Sequence, residues 1–126
     1  MSRGERSVEP KVWRYELDGG WEVLAGKTNY DNERLSLRVA APNDYWFHVR
    51  SLPGSHVVLL VGDREPERDV LKRTAAIAAY HSKAREAGVV PVSCTRAKDV
   101  TKPRGAKTGT VQIRRETVIK VRPALP

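Results

Sequence analysis

The chain has 126 residues and one cysteine, Cys94. That is enough for a single core burying roughly two-thirds of the unfolded surface without a staple, with no intrachain disulfide and the cysteine usage of a reducing compartment. The longest apolar run, Val57 to Val61, is far too short to cross a bilayer, and the charged opening from Met1 to Lys11 has no apolar segment for a secretory signal, so the expectation is a soluble, cytoplasmic, single-domain protein. The formal net charge is +8 with a pI near 10. Residues 1–82 hold 12 Lys/Arg and 12 Asp/Glu, whereas residues 83–126 hold 11 Lys/Arg and 3 Asp/Glu. The whole excess lies in the last third, the footprint expected of a nucleic-acid binder, although a generally basic surface would give the same total.

After a tail of about eleven residues, Val12-Trp13-Arg14-Tyr15-Glu16-Leu17 is rich in β-formers. Asp18-Gly19-Gly20 supplies turn residues and Trp21-Glu22-Val23-Leu24-Ala25-Gly26 resumes the pattern, which predicts a hairpin. Lys27 to Arg34 is polar and reads as a loop or one helical turn. Leu35, Leu37 and Val39 then alternate with Ser36, Arg38 and Ala40, as in a half-buried strand. Pro42-Asn43-Asp44 turns the chain, and strands at Trp46 to Arg50 and His56 to Val61 flank Leu52-Pro53-Gly54-Ser55.

One helix follows. Pro66 suits a first helical position, Glu65, Glu67 and Asp69 complement the positive end of its macrodipole, and Val70, Thr74, Ile77, Ala78, His81 and Ala84 form one stripe. Gly88 is the expected residue just beyond the C-terminus, with Lys83 and Arg85 in the last turn. Val89 to Val92 is a short strand, Thr95 to Thr108 a loop, and Val111, Ile113, Ile119 and Val121 a closing hairpin around Arg115-Glu116. The order predicts an α+β domain over residues 12–126, with a mostly antiparallel sheet and one main α-helix on one face.

Two segments carry the chemistry. In the loop, Arg96, Lys98, Lys102, Arg104 and Lys107 stand against one acid, Asp99. Pro103 stiffens the backbone, and Gly105 and Gly109 permit conformations in which main-chain N–H groups approach phosphate oxygens. Lys107-Thr108 precede Gly109, so this is not a Walker loop. A solvated mobile loop would share this composition. The second segment is Tyr45-Trp46-Phe47-His48-Val49-Arg50 with Pro53-Gly54-Ser55-His56. Alternation puts Tyr45, Phe47 and Val49 on one face and Trp46, His48 and Arg50 on the other, an aromatic, an imidazole and a guanidinium of the kind on which bases stack. For Trp46 taken alone, core burial is the better reading; His48, Arg50, Ser55 and His56 draw more interest because they flank a fixed turn.

The histidine spacings match no zinc signature, and Cys94 stands alone, so no metal or other cofactor is expected. His48 and His56 could in principle form an acid–base pair, but no carboxylate pair or nucleophile elbow accompanies them and no catalytic residues are assigned. His81, on the apolar stripe, is expected to be buried and hydrogen-bonded.

Gly26-Lys27-Thr28-Asn29-Tyr30-Asp31-Asn32-Glu33-Arg34-Leu35, Asn43 to His48 with Pro53 to Val57, Ala78-Ala79-Tyr80-His81-Ser82-Lys83-Ala84-Arg85 and Lys102-Pro103-Arg104-Gly105-Ala106-Lys107 together resemble the NFACT-R domain. That is the RNA-binding module of the ribosome-quality-control factors that add C-terminal tails to stalled nascent chains. The resemblance runs from about Trp13 to Pro123, and Cys94 and Thr108 depart from its usual tyrosine and proline. It implies contact with tRNA or large-subunit ribosomal RNA, through Asp44, Trp46, His48, Pro53, Gly54, Ser55 and His56 and through Lys98, Lys102, Pro103, Gly105 and Lys107. The family's larger factors carry further domains for which 126 residues leave no room. The expectation is therefore a stand-alone module acting with the large ribosomal subunit or a larger NFACT protein, not one that makes tails by itself.

The combined expectation is a non-enzymatic RNA-binding protein whose contacts include Asp44, Trp46, His48, Arg50, Ser55, His56, Arg96, Lys98, Lys102, Arg104, Gly105 and Lys107. The alternatives are a ribosome-associated protein adaptor, a small RNA-processing enzyme using His48 and His56, and a general binder of nucleic acid including DNA.

Overall fold

The computed structural model describes residues 9–126, so most of the expected N-terminal tail lies outside the described residues. The hairpin predicted at the start forms as read: β1 (Val12–Leu17) pairs with β2 (Trp21–Gly26) in a register that sets Trp13 opposite Ala25 and Leu17 opposite Trp21. β3 (Tyr45–Val49), β4 (Val57–Leu60), β5 (Val90–Arg96) and β8 (Thr117–Val121) complete a six-stranded sheet in the order β1-β2-β4-β3-β5-β8, with every pairing antiparallel. β6 (Val100–Thr101) and β7 (Gln112–Ile113) make a separate two-stranded ribbon. The chain is α+β with a mostly antiparallel sheet, as expected.

Alternation of side chains divides the core into two layers. Val23, Ala25, Phe47, Val49, Val57, Leu59, Val92 and Cys94 face α2 (Arg68–Tyr80), whose Ala75, Ile77, Ala78 and Ala79 are buried against them. The alanines let the helix axis approach the sheet closely, and each fully buried Val, Leu, Ile or Phe contributes about 1.5–3 kcal/mol. Burial also pushes the Cys94 thiol up to about 12, which leaves it unreactive near neutral pH. On the other face Leu24, Trp46 and Val58 pack with Leu35 and Val100. The main helix thus packs on one face, as expected, and the other face is covered as well.

The cover on that second face corrects the strand expected over Leu35 to Ala40. Residues 29–39 are helical: α1 (Asn29–Arg34) continues into a π-helical stretch (Leu35–Val39), whose wide turn closes with the Ala40 N–H donating to the Leu35 carbonyl at 3.0 Å. Thr28 caps the start, its Oγ1 accepting from the Asp31 N–H at 3.1 Å, and Asp31 Oδ1 accepts from the Lys11 N–H at 2.9 Å. Leu35 and Ser36 are both buried although adjacent, which a strand with one solvated face would not allow.

Three further boundaries move for tertiary reasons. α2 ends at Tyr80, well before Gly88, because the Pro53–Ser55 turn docks on its end: Ser55 N–H donates to the His81 carbonyl at 2.8 Å, Lys83 N–H donates to the Pro53 carbonyl at 2.9 Å, and Gly54 bridges Ser82. β5 runs on to Arg96 through the residues expected to open the loop, held by pairing of Arg96 with Tyr45 and Thr95 with Trp46. The closing hairpin does not form. β7 pairs with β6, and at Arg115, with φ of 54°, the chain crosses to place β8 on β5.

Candidate nucleic-acid interface

Trp46 and His48, on the second face of β3, meet His56 at the start of β4. The Trp46 and His48 rings stack at 6.0 Å, and His56 stands edge-on to both, 5.2 Å from Trp46 and 5.4 Å from His48. Ser36, in the π-helical stretch, ties the group together. Its hydroxyl accepts from Trp46 Nε1–H at 2.9 Å and lies 2.8 Å from His56 Nδ1. Because indole N–H can only donate, the Ser36 proton is free to go to His56, which leaves the imidazole proton on Nε2. Burial, helped by neighbouring His48, pulls His56 down to about 4, and burial likewise lowers His48 against the opposing pull of the Gly54 and Val49 carbonyls. Both rings are neutral at pH 7.

His48 and His56 line a cleft of about 420 Å³ with Arg50, Ser93, Gly109 and Glu116. Its charges are matched, since Glu116 Oε2 accepts from Ser93 and lies 3.6 Å from Arg50 Nε. Asp44, at the other end of β3, is buried and holds two turns closed: Oδ2 accepts from Ala41 N–H at 2.8 Å and Oδ1 from Val61 N–H at 2.9 Å.

The basic loop is divided by the fold. Arg96 lies over the Tyr45 ring at 4.1 Å and donates to the Asn43 carbonyl and to Glu65. Lys98 borders a recess with Tyr45, Leu71 and Cys94, on the α2 side. The rest of the loop crosses to the α1 side, where Glu33 anchors it: Lys102 Nζ lies 3.0 Å from Glu33 Oε1, which also accepts from the Gly109 N–H at 2.9 Å. That backbone hydrogen bond, followed by the one from Lys102, holds the Glu33 carboxyl below its ordinary value. Between the two anchors Arg104, Gly105 and Lys107 project into solvent, with Gly105 at φ of 77°. Neither Arg104 nor Lys107 has an ion-pair partner among the described residues.

A second cleft, of about 370 Å³, lies on the far side of the Pro53–Ser55 turn. Three separated segments build it: Lys27, Thr28, Asn29 and Asn32 at the start of α1, the turn itself, and His81, Ser82, Lys83 and Arg85 beyond α2, with Trp13 of β1 at its border. Gly26 is required here, because a Cβ would fall 2.2 Å from Asn32 Oδ1 and 2.9 Å from the Asn32 nitrogen. The same Oδ1 accepts from the His56 N–H at 3.0 Å, so Asn32 belongs to the wall between the two clefts. Ser55 is also part of that wall, its hydroxyl donating to the Gly26 carbonyl at 2.7 Å.

The sequence-derived candidates thus fall into three groups. His48, Arg50, Arg104, Gly105 and Lys107 reach the surface on or beside the α1 side. Asp44, Trp46, Ser55, His56, Arg96 and Lys102 are held by contacts that build the scaffold, and Lys98 lies elsewhere. Sequence reasoning did not select Lys27, Asn29, Asn32, Lys83 and Arg85. Two of the segments used for the family resemblance contain them, and that recurrence was the available signal.

A six-stranded antiparallel sheet with helices on both faces and a pinned basic loop defines the class. Residues 11–115 match the family model described as NFACT protein RNA binding domain, and the chain belongs to that family. It is 42% identical over 119 residues to the Rqc2 homolog RqcH of Bacillus subtilis, covering 94% of this chain and 20% of that protein. The Rqc2 homolog RqcH of Streptococcus suis is 39% identical over 106 residues, covering 84% of this chain and 19% of that protein. A solved structure, the C-terminal part of the fibronectin/fibrinogen-binding protein from Streptococcus suis, superposes with a TM-score of 0.84 at 36% identity, covering 92% of this chain and 46% of that one. The chain spans about 20% of the length of the RqcH proteins it matches.

Proposed function

We propose that this domain is a non-catalytic RNA-binding module of cytoplasmic ribosome quality control that contacts tRNA or large-subunit ribosomal RNA. The observation that carries the reading is the loop pinned at both ends by Glu33, with Arg104 and Lys107 unpaired at its tip. Anchoring reduces the entropy lost when the loop engages a ligand. Arg supplies a forked pair of donors and Lys a point charge, the combination suited to successive phosphates. His48 and Arg50 continue the surface next to Gly109, where a neutral imidazole and a guanidinium can meet sugar or base. The membership in an RNA-binding family and the names of the RqcH relatives support the placement in quality control.

The test is binding of the purified protein to tRNA, a ribosomal RNA fragment and duplex DNA of equal length across a salt series. Four or five neutralised phosphates give a slope of log affinity against log salt of about −4. Arg104→Ala and Lys107→Ala should each reduce that slope by about one, and Lys98→Ala should not. Salt-insensitive binding would overturn the reading, and equal affinity for all three ligands would reduce it to a generic polyanion binder.

A further inference from the structure

The cleft beside Trp13 differs from the rest of the surface in its charge. Lys27, Lys83 and Arg85 line it, and no Asp or Glu does. None of these three cations is in an ion pair among the described residues. Arg85 instead donates to the Tyr80 carbonyl at 2.7 Å and lies over the Tyr80 ring. Three cations converging on one recess without an acid repel one another, and an anion bound there relieves the repulsion.

An aromatic platform stands at the same place. Trp13 is 39% exposed, against 6% for Trp21 and 3% for Trp46. Its indole is backed by His81, with ring centroids 4.4 Å apart and planes 18° from parallel. His81 is itself fixed by a 2.6 Å hydrogen bond to the Tyr15 hydroxyl, so the exposed indole is braced before any ligand arrives. Lys27 Nζ lies over the Trp13 ring, 5.3 Å from its centroid, and its flexible arm can swing off that face as a base stacks while keeping its charge for the phosphate. Asn32 is 6% exposed and faces this cleft with its Oδ1 engaged by His56. Its amide nitrogen has no protein acceptor among the described residues and can donate to a ligand. Trp13 is the one exposed indole among the described residues, and cations without ion-pair partners line its cleft.

We propose that this cleft binds one unpaired RNA nucleotide, its base stacked at Trp13 and its phosphate held by Lys27 and Lys83, an inference that rests on the RNA-binding reading and specifies what it recognises. A duplex keeps its bases stacked and hidden, so the cleft selects loops, bulges or ends while the basic loop holds the flanking backbone. Base–aromatic stacking and a salt-dependent phosphate contact are the two terms that serve such recognition.

Tryptophan fluorescence reads the site directly, because Trp13 is exposed whereas Trp21 and Trp46 are buried. A single-stranded RNA hexamer should quench the exposed component, and an RNA duplex of the same charge should bind without doing so. Trp13→Leu should weaken the hexamer roughly 5- to 150-fold, the range of one base–aromatic stack, and leave duplex affinity unchanged. Lys83→Ala, whose side chain makes no bond within the protein, should lower the hexamer's salt slope by about one, and it remains informative if the Trp13 variant fails to fold. Hexamer binding without quenching, or with full affinity in Trp13→Leu, would overturn the cleft while leaving the RNA-binding reading intact. Failure of both hexamer and duplex to bind would overturn both. Equal quenching by a phosphoserine peptide of matching charge would also overturn the proposal, since an anion alone would then suffice.

Discussion

The two clefts on either side of the Pro53–Ser55 turn have opposite electrostatic designs. In the histidine cleft the chemistry suggested by the residue types is largely consumed by the fold: His56 is held neutral by burial and by neighbouring His48, its Nδ1 is engaged by Ser36, and Arg50 faces Glu116. In the Trp13 cleft no residue type is unusual by itself, yet three cations meet an exposed indole with no acid lining the recess. The difference teaches that imidazoles close together do not make a reactive centre when desolvation depresses them both. A binding surface is defined by the charges left without partners, not by the count of basic residues.

Acid is expected to break both clefts at once, and with the largest effect. Burial lowers His56 and His81 to about 4 from an ordinary 6.5, each depressed unit corresponding to about 1.4 kcal/mol in the two-state linkage. Between those values the unfolded chain holds protons that the folded chain does not, so stability should be full above pH 6.5 and fall as pH drops towards 4. Urea unfolding midpoints measured at half-unit steps would show this, and a flat profile through that window would mean that the imidazoles are not buried neutral.

Gly26→Ala attacks the shared wall. The new methyl would sit 2.2 Å from Asn32 Oδ1 and 2.9 Å from its backbone, and the overpacking should cost about 3 kcal/mol. The midpoint should fall while the denaturant slope holds. Loss of less than about 1 kcal/mol would show that the start of α1 yields easily. Ser36→Ala sharpens the contrast by touching only the histidine cleft. It leaves Trp46 Nε1–H and His56 Nδ1 without the hydroxyl that links them, for about 2 kcal/mol. Hexamer quenching at Trp13 should survive unchanged in that variant, and its loss would show that the clefts are mechanically coupled.

Local patterns were readable where they coincided with packing. The β1–β2 hairpin, the strands at Tyr45–Val49 and Val57–Leu60 and the apolar stripe of α2 all follow from periodicity and turn residues. Leu35 to Val39 misled because apolar residues at every second position also fit a helix end. Thr28, three residues before Asp31, was the contrary signal, as the start of a capped helix. Of the basic loop, the stretch around Arg104 and Lys107 was legible as a loop of basic and turn residues. The anchoring of Lys102 and Gly109 on Glu33 was not, because it joins residues 69 and 76 positions apart.

Composition and short-range order by themselves determined that this chain folds as an α+β domain, that its charge excess lies in the last third and that a basic loop runs through Arg104 and Lys107. These rest on side-chain size, polarity and backbone preference, which act over a few residues. The tertiary structure alone decided which cations are neutralised, which histidines are silenced and which segments share a cleft. Ion pairing and desolvation depend on distance in space, and Trp13, Lys27, Asn32, Lys83 and Arg85 become neighbours only when the sheet closes and the Pro53–Ser55 turn docks against the end of α2.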